Sequence, residues 1–365
     1  HSLIEMRRYA VRFMHQLHLI RSLRGILRTK YDQYSSLIRP LEKYLADHGV
    51  NFVSGATVTD MDIRIDGNDK TVTELHIGEG SDAQIVPVAE KDLVFFTNGS
   101  MTQNSTQGSM TEAPVMNRDT VHKGCFSLWE KLADKCPEYG HPEKFSFDPD
   151  KSNFVSCSVT VRDYPQFFDY LAEKTGNPTG KGGYSTFVDA PWFINYNVPL
   201  QPVAPDQPEN VQFMWFDGLH ANNCGLEDKI DIMPHIPAIP VVMPYITSQF
   251  MPRKLKDRPE VIPNGNKNLA FIGQFVELEG DVVFTVETAV RTAMIAVYLL
   301  LHLDRPITPL FQGQYDIRMV NVALKTLLGK DKIEVSDLPK VNPLKLPQTM
   351  HEIVEAINQI PPVPE

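Results

Sequence analysis

The chain has 365 residues, of which 42% are hydrophobic and 22% charged, and this composition is that of an ordinary globular protein with room for two domains. A formal net charge of −10 argues against a nucleic-acid partner, because such partners require a domain-wide basic surface. The four cysteines show no CxxC spacing, so we expect neither a disulfide framework nor a metal site.

The first predicted element is a helix over residues 1–20. Apolar side chains recur along one face of it at helical spacing, namely Met6, Tyr9, Phe13 and Leu17. Tyr9 has two interpretations: a core residue whose hydroxyl meets a carbonyl, or a phenol near guanidinium groups that can donate a proton. Because the chain opens with His1 and this helix has no cap, we expect the sequence to be the C-terminal part of a longer protein.

A polar, aromatic-rich connection over residues 29–36 leads into a second predicted helix over 37–48. Gln33 in this connection is placed to line a pocket, and solvent exposure, the more common outcome for such a residue, is the alternative. An extended run over 50–58 is typical of a parallel strand in a nucleotide-binding sheet, and residues 63–77 predict a hairpin that turns at an Asp-Gly-Asn sequence.

Residues 92–100 predict a buried strand that ends in Thr97, Asn98 and Gly99. A glycine at the carboxyl end of such a strand lets the backbone approach a ligand in the crevice of an open α/β sheet. The polar stretch over 101–121 has no periodicity and predicts a long loop of the kind that is often functional.

From residue 121 to about 240 the composition changes, and predicted strands and helices are separated by many Pro and Asn residues. This pattern predicts a mixed second domain inserted into the sheet domain. Residues 191–203, with Trp215 and Phe216, offer apolar and aromatic wall suited to a long apolar ligand; an ordinary domain core is the alternative.

The segment over residues 268–301 is the one around which the chain is organised. An apolar run ends at Gly273 and predicts a buried parallel strand. A short acidic turn follows, and then a helix over 284–301. The N-terminus of such a helix presents backbone N–H groups that accept a phosphate or an electron-rich ring edge. An ordinary strand–turn–helix crossover is the alternative.

The last part of the chain predicts one helix over residues 313–328 and a tail with a short amphipathic helix over 348–360. Such a tail could cover a pocket, dock on a second subunit or touch a membrane surface, and simple packing accounts for it as well.

Several long motifs, in order along nearly the whole chain, resemble those of the oleate hydratases, an FAD-containing fatty-acid hydratase family once called myosin-cross-reactive antigens. The motifs are EMRRYAVRF at 5–13, TKYDQY at 29–34, TNGSMT at 97–102, MPYITSQFMPR at 243–253, and FIGQF, DVVFT and RTAM between 271 and 294.

The resemblance implies hydration of the cis-9 double bond of oleate or a similar unsaturated fatty acid to the 10-hydroxy product, with FAD in a non-redox role. It implies that Tyr9 is the proton donor and that Gln33 is a polar pocket residue beside it. The implied cofactor contacts are Val58, Thr97, Asn98, Gly99, Gly273, Gln274, Phe275, Val283 and Phe284. The positions aligned with the family's carboxylate-binding residues are Asn197, Pro199 and Val203, where many members carry Thr, Asn and His.

The sequence also departs from the family pattern. The family's glycine-rich dinucleotide loop and its water-activating Glu lie upstream of the Tyr helix, and no GxGxxG occurs in these 365 residues. If this chain were the whole molecule, FAD should bind weakly and hydration should be impaired.

The expected fold is α/β. It comprises an incomplete Rossmann-like FAD-binding domain from residues 1–120 and 241–304, a mixed α+β substrate domain over 121–240, and a helical C-terminal segment over 305–365. A cytoplasmic homodimer is expected, with peripheral membrane contact as an alternative.

Two other functions stay open. A flavin-dependent oxidoreductase of the amine oxidase or desaturase type would share the strand–Gly–helix elements, and its flavin would bleach during turnover. A non-catalytic fatty-acid-binding module would bind the lipid without forming product and would be indifferent to Tyr9→Phe.

Overall fold

The computed structural model describes residues 2–19, 28–119, 122, 124–180, 183–189, 193–219, 238–283, 285–337 and 347–360. Its α-helices are α1 (Leu3–Arg12), α2 (Arg39–Asp47), α3 (Cys125–Lys135), α4 (Glu143–Ser146), α5 (Pro149–Ser152), α6 (Gln166–Thr175), α7 (Thr285–Leu300), α8 (Ile317–Leu328) and α9 (Pro347–Gln359). Its strands are β1 (Val58–Asp66), β2 (Asp69–Ile77), β3 (Gln84–Pro87), β4 (Val94–Thr97), β5 (Thr106–Gln107), β6 (Phe154–Arg162), β7 (Ser185–Thr186), β8 (Phe193–Asn197), β9 (Val211–Leu219), β10 (Ala238–Met243) and β11 (Leu269–Ile272).

These strands form three separate sheets, so the fold is mixed α/β. One is an antiparallel meander in the order β1-β2-β3, one is the parallel pair β11-β4, and the third is a six-stranded sheet in the order β5-β10-β6-β9-β8-β7. Every pairing in the six-stranded sheet is antiparallel.

The parallel pair confirms the two strands predicted from apolar runs. β4 and β11 run in register from Val94 opposite Leu269 to Thr97 opposite Ile272. Their carboxyl ends therefore lie side by side. The helix predicted after β11 is confirmed as α7.

The strand predicted over residues 50–58 is wrong. Its apolar side chains Val50, Phe52 and Val53 are exposed, and the chain is extended there without a ladder. Regular pairing starts only at Val58, which lies opposite Ile77 in the antiparallel hairpin β1–β2. An apolar run alone does not show which strand would pair with it, whereas the two strands of a predicted hairpin pair with each other.

An aromatic core lies between the parallel pair and α3, and it carries the largest fully buried side chains. Its aromatic members are Phe96, Phe126, Trp129, Tyr139, Phe145, Tyr245, Phe271 and Phe275. Phe275 meets Phe126 and Phe145 edge to face, at 5.1 and 5.5 Å between centroids, whereas Trp129 stacks on both of those rings. We call this group the aromatic core.

A second core lies on one face of the six-stranded sheet. There Cys157, Val159 and Val161 of β6 and Met214 of β9 pack with Phe168 of α6. Side chains alternate along a strand, so the other face of this sheet carries the residues between them. That second face includes Ser156, and it matters for the site described below.

The N-terminal end of helix α1 is hydrogen-bonded to the segment that follows β10. The backbone N–H of Ser2 donates to the Phe250 carbonyl at 2.7 Å. The helix ends at Arg12 and continues as a 3-10 helix over Met14–Leu19, rather than as the single helix predicted over residues 1–20. Tightening of this kind is common at helix ends.

The predicted C-terminal helices are confirmed as α8 and α9. The Asp316 side chain accepts a hydrogen bond from the Arg318 N–H and caps α8, and Asn321 of α8 donates to the Ile357 carbonyl of α9 at 3.0 Å. Among the described residues, no helix combines the length and apolar character needed to cross a bilayer.

Candidate functional site

Tyr9 lies on the docked face of α1, half-buried among aromatic rings. Its ring stacks on Phe13 at 5.5 Å and meets Phe250 edge to face at 5.4 Å between centroids. Its hydroxyl donates to the Val283 carbonyl at 3.3 Å. The structure thus joins the predicted proton donor to Val283, a predicted cofactor contact just before α7.

The environment of Tyr9 keeps its phenol protonated. Burial, and secondarily the Glu5 carboxylate one turn earlier on α1, raises the pKa of Tyr9 to about 12. Both effects penalise the phenolate. At neutral pH this side chain is therefore a hydrogen-bond and proton donor, and its oxygen is not a base.

Beneath the first turns of α1 lies a group of buried charges that we call the arginine cluster. Its members are Glu5, Arg8, Arg253, Arg258 and Glu277. Arg253 is the centre: its Nη2 lies 2.5 Å from Glu5 Oε1 and its Nη1 2.7 Å from Glu277 Oε2. Arg8 Nη2 reaches Glu277 Oε1 at 2.7 Å, and Arg258 Nη1 lies 3.2 Å from Glu5 Oε1.

The cluster is deeply buried. Glu5 is 1% exposed and the Arg253 side chain 0%. Arg258 also donates to the Gln249 carbonyl at 2.6 Å, and its guanidinium lies over the Phe145 ring. Burial, and after it the charge of Arg253, lowers the pKa of Arg258 to about 9. Three guanidinium groups face two carboxylates, so the cluster holds one surplus positive charge.

The carboxyl ends of β4 and β11 bring most of the other predicted cofactor residues together. Asn98 is 0% exposed, its Nδ2 donates to the Phe275 carbonyl at 3.0 Å, and its Oδ1 has no partner among the described residues. Gly99 has φ +75°, and a Cβ there would lie 2.8 Å from the rings of Phe126 and Phe275. A larger residue at Gly99 is therefore excluded both by its backbone and by its neighbours.

Gly273 follows β11 with φ +100°, and its N–H donates to Thr292 Oγ1 of α7 at 2.9 Å. This bond ties the strand end to the second turn of the helix. Gln274 is partly exposed beside it. Val58 packs against the aromatic core from β1. Phe284 lies outside the described residues.

A cavity of about 650 Å³ opens along the other side of α1. Its walls are apolar at Leu3, Ile4, Val11 and Phe311, and Arg7 brings a guanidinium that has no hydrogen-bond or ion-pair partner in the described part of the chain. Gly280, on its rim, has open space where a Cβ would be. None of the predicted cofactor residues lines this cavity.

The other predicted site residues lie by the six-stranded sheet. Gln33 is exposed, and its neighbour Asp32 donates a backbone N–H to the Val203 carbonyl at 2.7 Å. Asn197 ends β8, and its Nδ2 lies 3.4 Å from the Gly183 carbonyl. Gln33 is thus near Val203, and none of the contacts among described residues joins it to Tyr9.

Pro199 and Val203 follow β8 in an irregular segment. Their side chains offer no hydrogen-bonding group, so only backbone atoms could hold a carboxylate there. The Pro199 carbonyl already accepts from Gln201 Nε2 at 3.2 Å, and the Val203 N–H donates to Gln207 Oε1 at 2.6 Å.

A polar row on the open face of the six-stranded sheet was missed by the sequence reasoning. Ser156, Asp217 and Asn195 are register partners on β6, β9 and β8. Ser156 Oγ donates to Asp217 Oδ1 at 2.9 Å, and burial raises the pKa of Asp217. Asn195 is 4% exposed, and its Oδ1 has no partner among the described residues. Period-two alternation from Asn197 would have identified Asn195.

Three potential metal ligands, Asp62, Glu74 and His76, have ligand atoms within 4.8 Å of one another on the hairpin β1–β2. His76 Nε2 already lies 3.0 Å from Asp62, and the Lys135 ammonium is 3.8 Å from the same carboxylate. Asp62 is exposed, Glu74 and His76 are partly buried, and His76 and Lys135 already pair with Asp62, so we assign no metal site to this group.

Comparison with known proteins gives one family. The sequence model described as the MCRA family matches residues 1–227 and 223–298. The chain is 36% identical over 374 residues to an oleate hydratase of Streptococcus pyogenes serotype M49 (strain NZ131), covering 93% of this chain and 63% of that protein. It is 29% identical over 340 residues to a linoleate hydratase of Lactiplantibacillus plantarum, covering 80% of this chain and 59% of that protein. The chain thus spans about three fifths of the length of these relatives.

Proposed function

We propose a function that starts from one fact: this chain belongs to the MCRA family. The proposed function is that of a hydro-lyase, which adds water to the cis-9 double bond of an unsaturated fatty acid and so converts oleate to 10-hydroxystearate. Relatives named as an oleate hydratase and a linoleate hydratase support this reaction class. The observation that carries the proposal is the half-buried Tyr9 phenol, held among aromatic rings beside the N-terminal side of α7.

Hydration of an isolated alkene needs an acid that delivers a proton to carbon. For the 10-hydroxy product, the proton goes to carbon 9 and the oxygen of water to carbon 10, while water gives up one proton to a base. Tyr9 is placed for the first step because its hydroxyl is protonated at neutral pH and held in position. Burial also makes it a weaker acid than a free phenol, so the step depends on stabilisation of the charge that develops on the substrate. The hydrogen bond of Tyr9 to the Val283 carbonyl orients the hydroxyl before substrate arrives.

Positive charge develops on the alkene as the proton is transferred, and it must be stabilised. The Phe13 ring stacks on Tyr9 and the Phe250 ring meets it edge to face, and aromatic faces attract cations. The same rings exclude water from the phenol. The proton released by the attacking water goes to a base; the family resemblance places this base, a Glu, upstream of α1, and we assign none of the described residues to that step.

The residues present fit FAD as the cofactor. The cavity along α1 combines apolar walls with the unpaired guanidinium of Arg7 and adjoins the surplus positive charge of the arginine cluster. An anionic molecule with a flat aromatic end matches that chemistry. We propose that the sequence-predicted strand-end residues from Thr97 to Gly99 and from Gly273 to Phe275 contact FAD. Arg7 and the backbone at Gly280 line a cavity that none of those residues lines, and we propose that they contact another part of the same cofactor. When bound, the flavin supplies electrostatic stabilisation without a net redox cycle.

The fatty acid is proposed to lie over the open face of the six-stranded sheet. This face carries aromatic side chains such as Trp215, whose register partner on β8 is Asn197. Asn197, a predicted substrate contact, and Asn195 have amide groups that can bind a carboxylate. Pro199 and Val203 stay predicted substrate contacts that would line the fatty-acid site beside them. A cytoplasmic homodimer, with peripheral membrane contact as the alternative, likewise stays a prediction.

The test is mass spectrometry of oleic acid after incubation with this chain and added FAD. We expect a product heavier by one water molecule, its loss in Tyr9→Phe, and its retention in the matched control Tyr164→Phe, which alters an exposed tyrosine. Lipid binding without product, in both this chain and a version extended upstream, would favour a binding module. Flavin bleaching during turnover would favour an oxidoreductase.

A further inference from the structure

Helix α1 docks through charged side chains on the same face as Tyr9. Glu5 lies one helical turn before Tyr9 and enters the arginine cluster, while Tyr9 reaches Val283 and Arg12 reaches Glu287 at 2.6 Å. Residues three or four apart share a helix face, so these contacts form one stripe. The position of the phenol is therefore tied to the position of Glu5.

The contact at Glu5 is the most restrictive in this stripe. Its Oε1 accepts from both Nε and Nη2 of Arg253, at 3.1 and 2.5 Å, and lies 3.2 Å from Arg258. Arg253 is held in turn by Glu277. All these contacts meet the same carboxylate oxygen, and Glu5 Oε2 has no partner among the described residues. Charge-assisted bonds from several guanidinium nitrogens fix the place of that one oxygen. Apolar packing would permit small rotations of α1 that this geometry does not.

Because the cluster is buried, breaking its ion pairs costs much free energy. Removing one partner of a buried ion pair leaves a charge with no compensation, whereas the intact pair adds little net stability over apolar packing. The cluster therefore adds little net stability, but it holds the first turns of α1 in one position. A role in placing something else explains its presence better than a role in holding the fold together.

We propose that Glu5 and Arg253 are positioning residues for Tyr9, which set the direction of the phenol by fixing the first two turns of α1. This inference rests on the proposed function for its catalytic consequence. The placement itself is a property of the chain that can be measured without turnover.

In the described ranges, the charged groups near the phenol lie on α1 and at the start of α7. On its own helix, Glu5 is the charge that acts on Tyr9. From the packed segments, Phe250 and Val283 bring no charge. Glu287 and Asp281 near the start of α7 are each engaged by an arginine, at 2.6 Å from Arg12 and 3.5 Å from Arg291. A change in the signal of Tyr9 on altering the cluster therefore reports on the cluster.

The direct experiment is ¹³C NMR of the full chain carrying tyrosine labelled at the ring ζ-carbon, with Tyr9→Phe identifying the Tyr9 resonance. Two variants disturb the cluster: Glu5→Gln removes the carboxylate charge, and Arg253→Lys keeps the positive charge but removes the guanidinium contacts. Asp47→Asn is the matched control, because it removes a carboxylate charge from a solvent-exposed ion pair with Lys43 on a different helix, α2.

We expect the Tyr9 resonance to shift or broaden at neutral pH in both cluster variants and to remain unchanged in the control. We also expect it to titrate at lower pH in Glu5→Gln, since a nearby negative charge is removed. An unchanged Tyr9 resonance in a folded cluster variant would overturn the proposal. If Glu5→Gln does not fold, Arg253→Lys decides.

Turnover supplies the second readout. In the hydration assay kcat should fall about 100-fold in Glu5→Gln with KM for oleate unchanged, because a small misplacement of a catalytic group costs on that order. Glu5→Asp should restore part of kcat. An equal loss in Glu5→Asp and Glu5→Gln, or a change in KM alone, would contradict positioning. Full activity of Tyr9→Phe would instead refute the proposed function and leave the NMR result to decide on placement.

Discussion

The aromatic core and the arginine cluster are both buried, yet they hold their segments by opposite means. In the aromatic core, α3 lies against β4 and β11 through rings such as Trp129 and Phe271, and the stabilisation follows the apolar area removed from water. In the arginine cluster, α1 is held through Glu5 and Arg253, and the interaction depends on distance and angle.

The aromatic core therefore acts mainly on the stability of the fold, and the arginine cluster acts mainly on the position of α1. Apolar contacts are non-directional, so the aromatic core accounts for much of the stability and tolerates small rearrangements. Ion pairs that are fully desolvated add little net stability but penalise any other arrangement strongly. The catalytic candidate Tyr9 lies on the element held by the cluster, where its orientation is constrained most.

The largest change in stability is expected at the centre of the aromatic core. Trp129→Ala removes a fully buried ring and the bond from its Nε1 to the Tyr139 carbonyl at 2.6 Å. We expect a loss of about 5 kcal/mol in the free energy of unfolding. Urea unfolding measures it, with Phe147→Ala at an exposed site as the control. A loss no larger than that of the control would show that this core is not the stabilising one.

The next largest change is expected in the arginine cluster. Glu5→Gln removes the carboxylate that Arg253 and Arg258 share and leaves Arg253 with Glu277 alone. We expect a loss of about 3 kcal/mol in the free energy of unfolding, at the low end for a broken buried pair because the amide still accepts a hydrogen bond. Replacing Glu5, Arg253 and Arg258 together by Leu, Met and Leu should restore most of that stability while turnover stays low. If the triple variant were both stable and fully active, the cluster would have no positioning role.

A smaller effect is expected at alkaline pH. The pKa of Tyr9 is raised to about 12 in the folded chain, so the folded state retains its phenol proton more tightly than the unfolded one. This contribution to stability is complete below about pH 10 and is lost as pH rises towards 12. Tyr9→Phe should therefore flatten the stability profile in that interval. Identical profiles for the two proteins would mean that Tyr9 is solvated.

The smallest effect is expected at the polar row of the six-stranded sheet. The pKa of Asp217 is raised by burial, so its stability contribution is complete at acid pH and is lost as pH rises through that pKa. Asp217→Asn keeps an acceptor for Ser156 and should therefore stabilise the chain slightly at pH 8 but not at pH 3. Thermal unfolding at the two pH values tests this, and an equal effect at both would show that burial is not what shifts this carboxyl group.

The same contrast explains what could be predicted from the sequence. β4, β11 and α7 follow from apolar runs and helical spacing, because burial of apolar side chains is a local property of the pattern. The proposal of a fatty-acid hydratase came from the order of long motifs along the whole chain.

The arginine cluster could not be predicted in this way. The helical pattern assigned Met6 to the buried face of α1, but Met6 is 54% exposed and Glu5 is buried instead. The partners that bury Glu5 come from positions 253 and 258, and no local periodicity connects residues so far apart. The contact within the polar row could not be predicted for the same reason, because the register of β8 on β9 decides that Asn195 lies opposite Asp217.

The most direct test of the account is to run the hydration of oleate in D₂O, with this chain and FAD, and to locate deuterium in the product. We expect 10-hydroxystearate with one carbon-bound deuterium at carbon 9, formed by the wild-type chain and by Tyr164→Phe and not by Tyr9→Phe. A hydroxylated product that carries no deuterium on carbon, or equal labelled product from Tyr9→Phe, would contradict the assignment of Tyr9 as the proton donor.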